Sequence, residues 1–71
     1  MNKLERMLED KRMLLGMNKA DFAANELKIS YRTYQVLIKN PESLQIGKLN
    51  SVANYLGINN LQLIDLAKKE A

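Results

Sequence analysis

Apolar residues recur along this chain at intervals of three and four positions, the spacing of an amphipathic α-helix. The first such segment extends from Lys3 to Leu15, and the pattern predicts that its apolar positions form one buried face; they are Leu4, Met7, Leu8, Leu14 and Leu15. Four more segments follow, over about 18–27, 30–39, 46–55 and 59–69. No strand-like alternation interrupts them, so the pattern predicts an all-α fold of five helices.

Residues that favour helix ends stand at the boundaries of these segments. Asn18 and Ser30 are good N-caps for the second and third helices. Gly16 and Gly57 can end the first and fourth helices in the left-handed conformation. Asn40-Pro41 should stop the third, because the residue before proline avoids the helical region. No linker is long enough to divide the chain, so residues 1–71 are predicted to form one domain.

The second and third helices are joined by a short turn, Lys28-Ile29-Ser30. Ile29 is its only apolar residue and is expected to enter the core. On the third helix, Tyr34 and Leu37 are three positions apart and should face inward. Two short helices joined by a tight turn form a helix-turn-helix, whose second helix lies in the major groove of DNA in proteins that bind it.

Composition excludes several classes of chemistry. The 71 residues include no cysteine and no histidine, which removes disulfides, thiolate sites and the commonest general base. The carboxylates are scattered, so we expect no enzyme, no cofactor, no metal site and no small-molecule substrate. No apolar run could span a membrane, and the mixed N-terminus is unlike a signal peptide, so we expect a cytoplasmic protein. The net charge of +3 permits nucleic-acid binding, but the basic residues are spread along the chain.

Further evidence on fold and function comes from a combination of residues between Arg12 and Leu66. These residues are Arg12, Gly16, Phe22-Ala23-Ala24, Ile29-Ser30, Thr33, Leu37, Leu49, Val52-Ala53 and Leu56-Gly57-Ile58. In this combination the sequence resembles the Cro/repressor-type helix-turn-helix domain of phages and bacterial regulators, the XRE family. The resemblance implies a five-helix, lambda-repressor-like fold, cytoplasmic residence and a role in gene regulation, commonly at a phage switch.

The sequence departs from this family at two places in the motif. Lys28 stands where the family usually has a glycine in the turn. Aligned on Ala24, the turn has the family's common length; aligned on Ala23, it is one residue longer. The family's glutamine at the start of the first motif helix is replaced by Ala20 in the first alignment and by Lys19 in the second. Both alignments stay open at the level of sequence.

Carried over by position, the resemblance implies a DNA-reading face on the third helix. Arg32 would grip guanine, Gln35 would serve adenine and Val36 would touch a thymine methyl group. Phosphate contacts would come from flanking residues. The predicted DNA-binding set is Lys19, Ser30, Tyr31, Arg32, Gln35 and Lys39. The protein would then be a small phage-type transcriptional regulator on operator DNA, acting as a homodimer on paired half-sites or with a partner.

The same helix is unusually apolar, which supports a second hypothesis. If Tyr34 and Leu37 are core residues, Val36 and Ile38 lie toward the surface on the helix that carries Tyr31, and such a patch suits the centre of a protein interface. The predicted interface set is Tyr31, Arg32, Gln35, Val36 and Ile38. The protein would then be an antirepressor that binds a phage repressor and blocks its DNA binding. We leave both hypotheses open at this point.

Overall fold

The computed structural model describes residues 2–68, and over this range the chain is helical and contains no strand. Five helices follow one another: α1 (Lys3–Leu15), α2, α3 (Tyr31–Lys39), α4 (Ile46–Leu56) and α5 (Asn60–Lys68). Helix α2 begins as an α-helix at Lys19–Asp21 and continues as a π-helical segment at Phe22–Leu27, and a 3₁₀ turn at Pro41–Ser43 joins α3 to α4. The predicted all-α class is confirmed for these residues. The predicted end of α5 at Lys69 lies outside them.

The predicted helix boundaries are formed by the side chains and glycines that the sequence offers. Asn18 Oδ1 accepts a hydrogen bond from the backbone N–H of Asp21 at 2.8 Å, and Ser30 Oγ accepts one from Thr33 at 3.1 Å. Each satisfies one of the unpaired N–H groups of a first helical turn. Gly16 and Gly57 close α1 and α4 with φ of 67° and 74°. The predicted caps are therefore confirmed.

The core draws side chains from all five helices and centres on Phe22. The ring of Phe22 is fully buried and meets the rings of Tyr34 and Tyr55 edge to face, at centroid distances of 6.5 and 5.9 Å. This arrangement is the favourable one for aromatic pairs. The buried apolar residues are Leu4, Leu8, Phe22, Ala23, Leu27, Ile29, Tyr34, Leu37, Leu49, Val52, Ala53 and Leu63. Ile29, Tyr34 and Leu37 thus lie inside, as predicted.

The prediction of one continuous apolar face on α1 is wrong for its last turn. Leu4 and Leu8 are fully buried, but Leu14 is 87% exposed and Leu15 is 51% exposed. At 3.6 residues per turn, Leu14 points away from the buried stripe. Leu15 returns to the angular position of Leu4 about three turns later, and its exposure means that the end of α1 extends beyond the helices that cover its beginning.

Candidate functional site

The turn between α2 and α3 is set by one residue in an unusual conformation. Lys28 has φ 63° and ψ 37°, in the left-handed region that favours glycine. Its N–H and that of Ile29 both donate to the carbonyl of Ala23, the latter at 3.0 Å. Ile29 can therefore turn into the core, where it is 5% exposed. Lysine thus adopts, in this turn, the backbone geometry that a glycine would adopt without strain.

The two neighbouring alanines of α2 differ in burial. Ala23 is fully buried, whereas Ala24 is exposed. Hydrogen bonds in a π-helix join residues five apart, so a π turn holds one residue more than an α turn. The residues from Ala23 to Leu27 are therefore contained within α2, and only Lys28, Ile29 and Ser30 lie between it and α3. Lys19 becomes the first residue of α2, directly after its N-cap.

Helix α3 presents one exposed side, which we call the α3 face and define as Tyr31, Arg32, Gln35, Val36 and Lys39. Arg32, Gln35 and Lys39 are exposed, and Val36 is half-buried. Positions 32, 35, 36 and 39 are neighbours on one side of a helix. Tyr31, 42% exposed, lies at the beginning of this face. The side chains of α3 include two cations and no carboxylate, so the face is suited to an anionic partner.

A cleft of about 170 Å³ lies beside the α3 face, between α3 and the beginnings of α1 and α2. It is lined by Glu5, Lys19, Tyr31, Tyr34, Gln35, Ile38 and Lys39. The structure thus brings Lys19 together with three residues of the predicted DNA-binding set that lie on α3. Glu5 was not predicted, since nothing in its local sequence indicates which helix its carboxylate faces. Its charge opposes an anion on this side of the cleft, so phosphate contact is more favourable at the two lysines.

Ser30 is exposed, but its hydroxyl already serves the fold. Besides accepting from the Thr33 N–H, Ser30 Oγ donates a hydrogen bond to Thr33 Oγ1 at 2.9 Å. A phosphate would have to replace the second of these bonds in order to use the Ser30 proton. The predicted phosphate contact of Ser30 therefore stays a prediction.

The prediction that Ile38 lies toward the surface is corrected by the structure. Its side chain is half-buried and packs against the core, and its backbone carbonyl accepts a hydrogen bond from Asn2 Nδ2 at 2.9 Å. The physical reason is the helical spacing, because Ile38 is four positions after the buried Tyr34 and shares its side of α3. The apolar surface expected on this helix is correspondingly smaller.

A hydrogen-bonded group links α1 to the motif. Arg12 donates from Nε and Nη2 to the Glu9 carboxylate, the shortest distance being 2.6 Å, and from Nη1 to the Met17 carbonyl at 2.8 Å. The hydroxyl of Tyr34 donates to Glu9 Oε2 at 3.3 Å. The hydrogen bonds from Arg12 lower the pKa of Glu9, and burial together with the Glu9 carboxylate raises the pKa of Tyr34. At neutral pH Glu9 is therefore an anion and Tyr34 a neutral donor.

Two structural properties bear on other kinds of function. Among residues 2–68, no three side chains of the metal-binding types lie together in a way that could hold an ion. Within the same range, no helix has both the length and the apolar character needed to cross a membrane.

Comparison with protein-family models, curated proteins and solved structures gives no significant match. Function is therefore inferred from the geometry of the α3 face and from the resemblance found in the sequence.

Proposed function

We propose that this protein is a helix-turn-helix transcriptional regulator of the phage Cro/repressor kind, and that its α3 face reads operator DNA in the major groove. The observation that supports this most is the arrangement of the α3 face. Arg32 and Gln35, the two side chains suited to base edges, are exposed next to each other on a short helix that follows a tight turn. Cations lie beside them, at Lys39 and across the cleft at Lys19.

The division of labour follows from the chemistry of each side chain. The guanidinium of Arg32 can donate two parallel hydrogen bonds to O6 and N7 of guanine, and the amide of Gln35 can pair with N6 and N7 of adenine. Lys19 and Lys39 would contact phosphates, which position the helix without reading sequence. Two base-reading side chains are few for a stable complex. We therefore expect two copies of the chain on paired half-sites, or a partner beside it.

The antirepressor hypothesis is the second candidate. It is supported by Tyr31, which is 42% exposed, and by the half-buried Val36 on the same helix, since aromatic and apolar groups are favoured at the centres of interfaces. The core packing of Ile38 weakens it, because one of the two aliphatic side chains expected on the patch packs in part against the protein's own core. DNA binding is therefore the better-supported function.

The test is selection of preferred duplexes from a random-sequence pool, followed by titration of the preferred duplex at low and moderate salt. We expect selective binding that weakens with salt. Arg32→Ala should cost about 1–3 kcal/mol on the preferred duplex and lower the preference for guanine at one position. Lys48→Ala is the matched control, because it removes one exposed positive charge from α4, outside the α3 face.

Two outcomes would contradict the proposal. One is the absence of any sequence preference at low salt. The other is an equal effect of Arg32→Ala and Lys48→Ala, which would reduce the role of Arg32 to unspecific charge. If the chain leaves DNA unbound but releases a purified phage repressor from its operator, the antirepressor hypothesis replaces the proposed one. Val36→Asp should then abolish that release.

A further inference from the structure

Two side chains on α1, Glu9 and Arg12, form hydrogen bonds to residues on both sides of the cleft beside the α3 face. On one side, the ring of Tyr31 stacks on that of Tyr34 with centroids 6.4 Å apart and planes 20° from parallel. Tyr34 is itself 3% exposed, and its hydroxyl donates to Glu9. On the other side, Arg12 binds the carbonyl of Met17, two residues before Lys19. Arg12 and Glu9 are joined to each other by three hydrogen bonds.

From this geometry we infer that Glu9, although it lies outside the helix-turn-helix, is a positioning residue for the α3 face. It fixes the Tyr34 hydroxyl, and through the stacked ring of Tyr34 it sets the orientation of Tyr31 toward the cleft. Through Arg12 it also ties the start of α2, and therefore Lys19, to the same point. The consequence for binding rests on the proposed function, whereas the placement of Tyr31 can be tested without DNA.

The strength of this link follows from burial. The Tyr34 hydroxyl would lose its hydrogen-bond partner if the Glu9 side chain moved, and an unpaired buried hydroxyl is costly. The buried Phe22 restrains the ring of Tyr34 through an edge-to-face contact, and the hydrogen bond to Glu9 restrains its hydroxyl end. A changed position of Tyr34 would therefore be passed to Tyr31, whose ring is partly free in solvent and follows the surface on which it stacks.

Tyr34→Phe is the most direct test, because it removes the hydroxyl and keeps the ring. Glu9→Gln is the second variant, and it weakens the pair with Arg12 while preserving the size of the side chain. The matched control is Tyr55→Phe. That ring also packs edge to face on Phe22, at 5.9 Å, but it belongs to α4 and lies outside the α3 face.

The first measurement is NMR of the tyrosine rings, which number only three in this chain. We expect both test variants to move the ring resonances of Tyr31, and Tyr55→Phe to leave them in place. The second measurement is affinity for a random-sequence duplex of about 20 base pairs at low salt. Loss of a well-placed contact at Tyr31 should weaken binding about fivefold in the test variants, the equivalent of one ordinary hydrogen bond, and the control should bind as the unmodified protein does.

Unchanged Tyr31 resonances in both test variants would overturn the inference, because Glu9 would then serve only to satisfy a buried hydroxyl. Shifted resonances with unchanged duplex affinity would also overturn it, since the orientation of Tyr31 would not matter for binding. If one variant fails to fold, the other decides. If the unmodified protein binds no duplex, the proposed function fails, and the resonances alone decide whether Glu9 positions Tyr31.

Discussion

Replacing Lys28 by glycine should make the protein more stable, although it removes a whole side chain. Lys28 is exposed, so its side chain contributes little burial, and its backbone lies in the left-handed region at φ 63°. Among the non-glycine residues that the structure describes, Lys28 alone has a positive φ. The position is the one at which the resemblance to the phage-repressor family leads us to expect glycine.

The magnitude follows from two opposing effects. The left-handed conformation costs a residue with a Cβ atom about 1–2 kcal/mol. Glycine avoids this cost, but it loses about 0.5–1 kcal/mol more backbone entropy on folding. The net gain for Lys28→Gly therefore lies between about 0 and 1.5 kcal/mol, with a central value of about 0.75 kcal/mol. For a domain of this size, 1 kcal/mol corresponds to about 4–8 °C in Tm, so the central gain should raise Tm by about 3–6 °C.

Thermal and urea unfolding, followed by circular dichroism, measure this gain. Lys28→Ala is the control, because it removes the same charge and side chain while keeping the Cβ atom and its strain. It should differ from the unmodified protein by no more than about 0.5 kcal/mol. A Lys28→Gly variant no more stable than Lys28→Ala would refute the argument that the turn holds a strained lysine. The Lys28→Gly variant should also keep the α3 face, and under the proposed function its affinity for DNA should be unchanged.

Two further predictions concern α1. Leu8→Ala should lower the free energy of unfolding by about 2–5 kcal/mol, because Leu8 is fully buried. Leu14→Ala should change it by no more than about 0.5 kcal/mol, because Leu14 is 87% exposed. Equal losses of stability in urea unfolding would contradict the fold described for this helix. Glu9→Gln should lower stability at neutral pH. Since Arg12 lowers the pKa of Glu9 from its ordinary 4.5, the contribution of the carboxylate is complete above that value and is lost as pH falls through the lowered pKa. The difference between Glu9→Gln and the unmodified protein should therefore shrink in acid, and a constant difference across this range would exclude the charged pair as its cause.

Local sequence is sufficient to predict much of the fold, because the relevant interactions are local. An asparagine or serine at the N-cap accepts a hydrogen bond from the backbone N–H three residues later in the chain. A glycine directly after the last helical residue ends that helix. The inward positions of Tyr34 and Leu37 follow from the same helical period. None of these features requires knowledge of how the helices pack, so each could be placed before the structure was known.

The features that sequence could not supply depend on distant partners. The hydrogen bond from Tyr34 to Glu9 joins residues 25 positions apart, and no spacing rule connects them. The exposure of Leu15 depends on where the neighbouring helices end and not on its place in the α1 pattern. Ile38 illustrates a different limit. The sequence shows that Ile38 is four positions after Tyr34 and so lies on the same side of α3. Tertiary packing decides how much of that side the core covers, and this the sequence does not show.

The alanines of α2 show how a single residue can change the site without changing the fold. An insertion in a helix rotates everything before it by about 100° relative to everything after it. A π-helical segment holds one residue more per turn than an α-helix does, and in this chain it contains the buried Ala23 and is followed by Ser30 and the start of α3. The first turn of α2 is then fixed relative to Ala23, which makes Lys19 a lining residue of the cleft. The π-helical segment thus sets the position of Lys19 relative to α3, and the hydrophobic pattern of the sequence predicts an α-helix there instead.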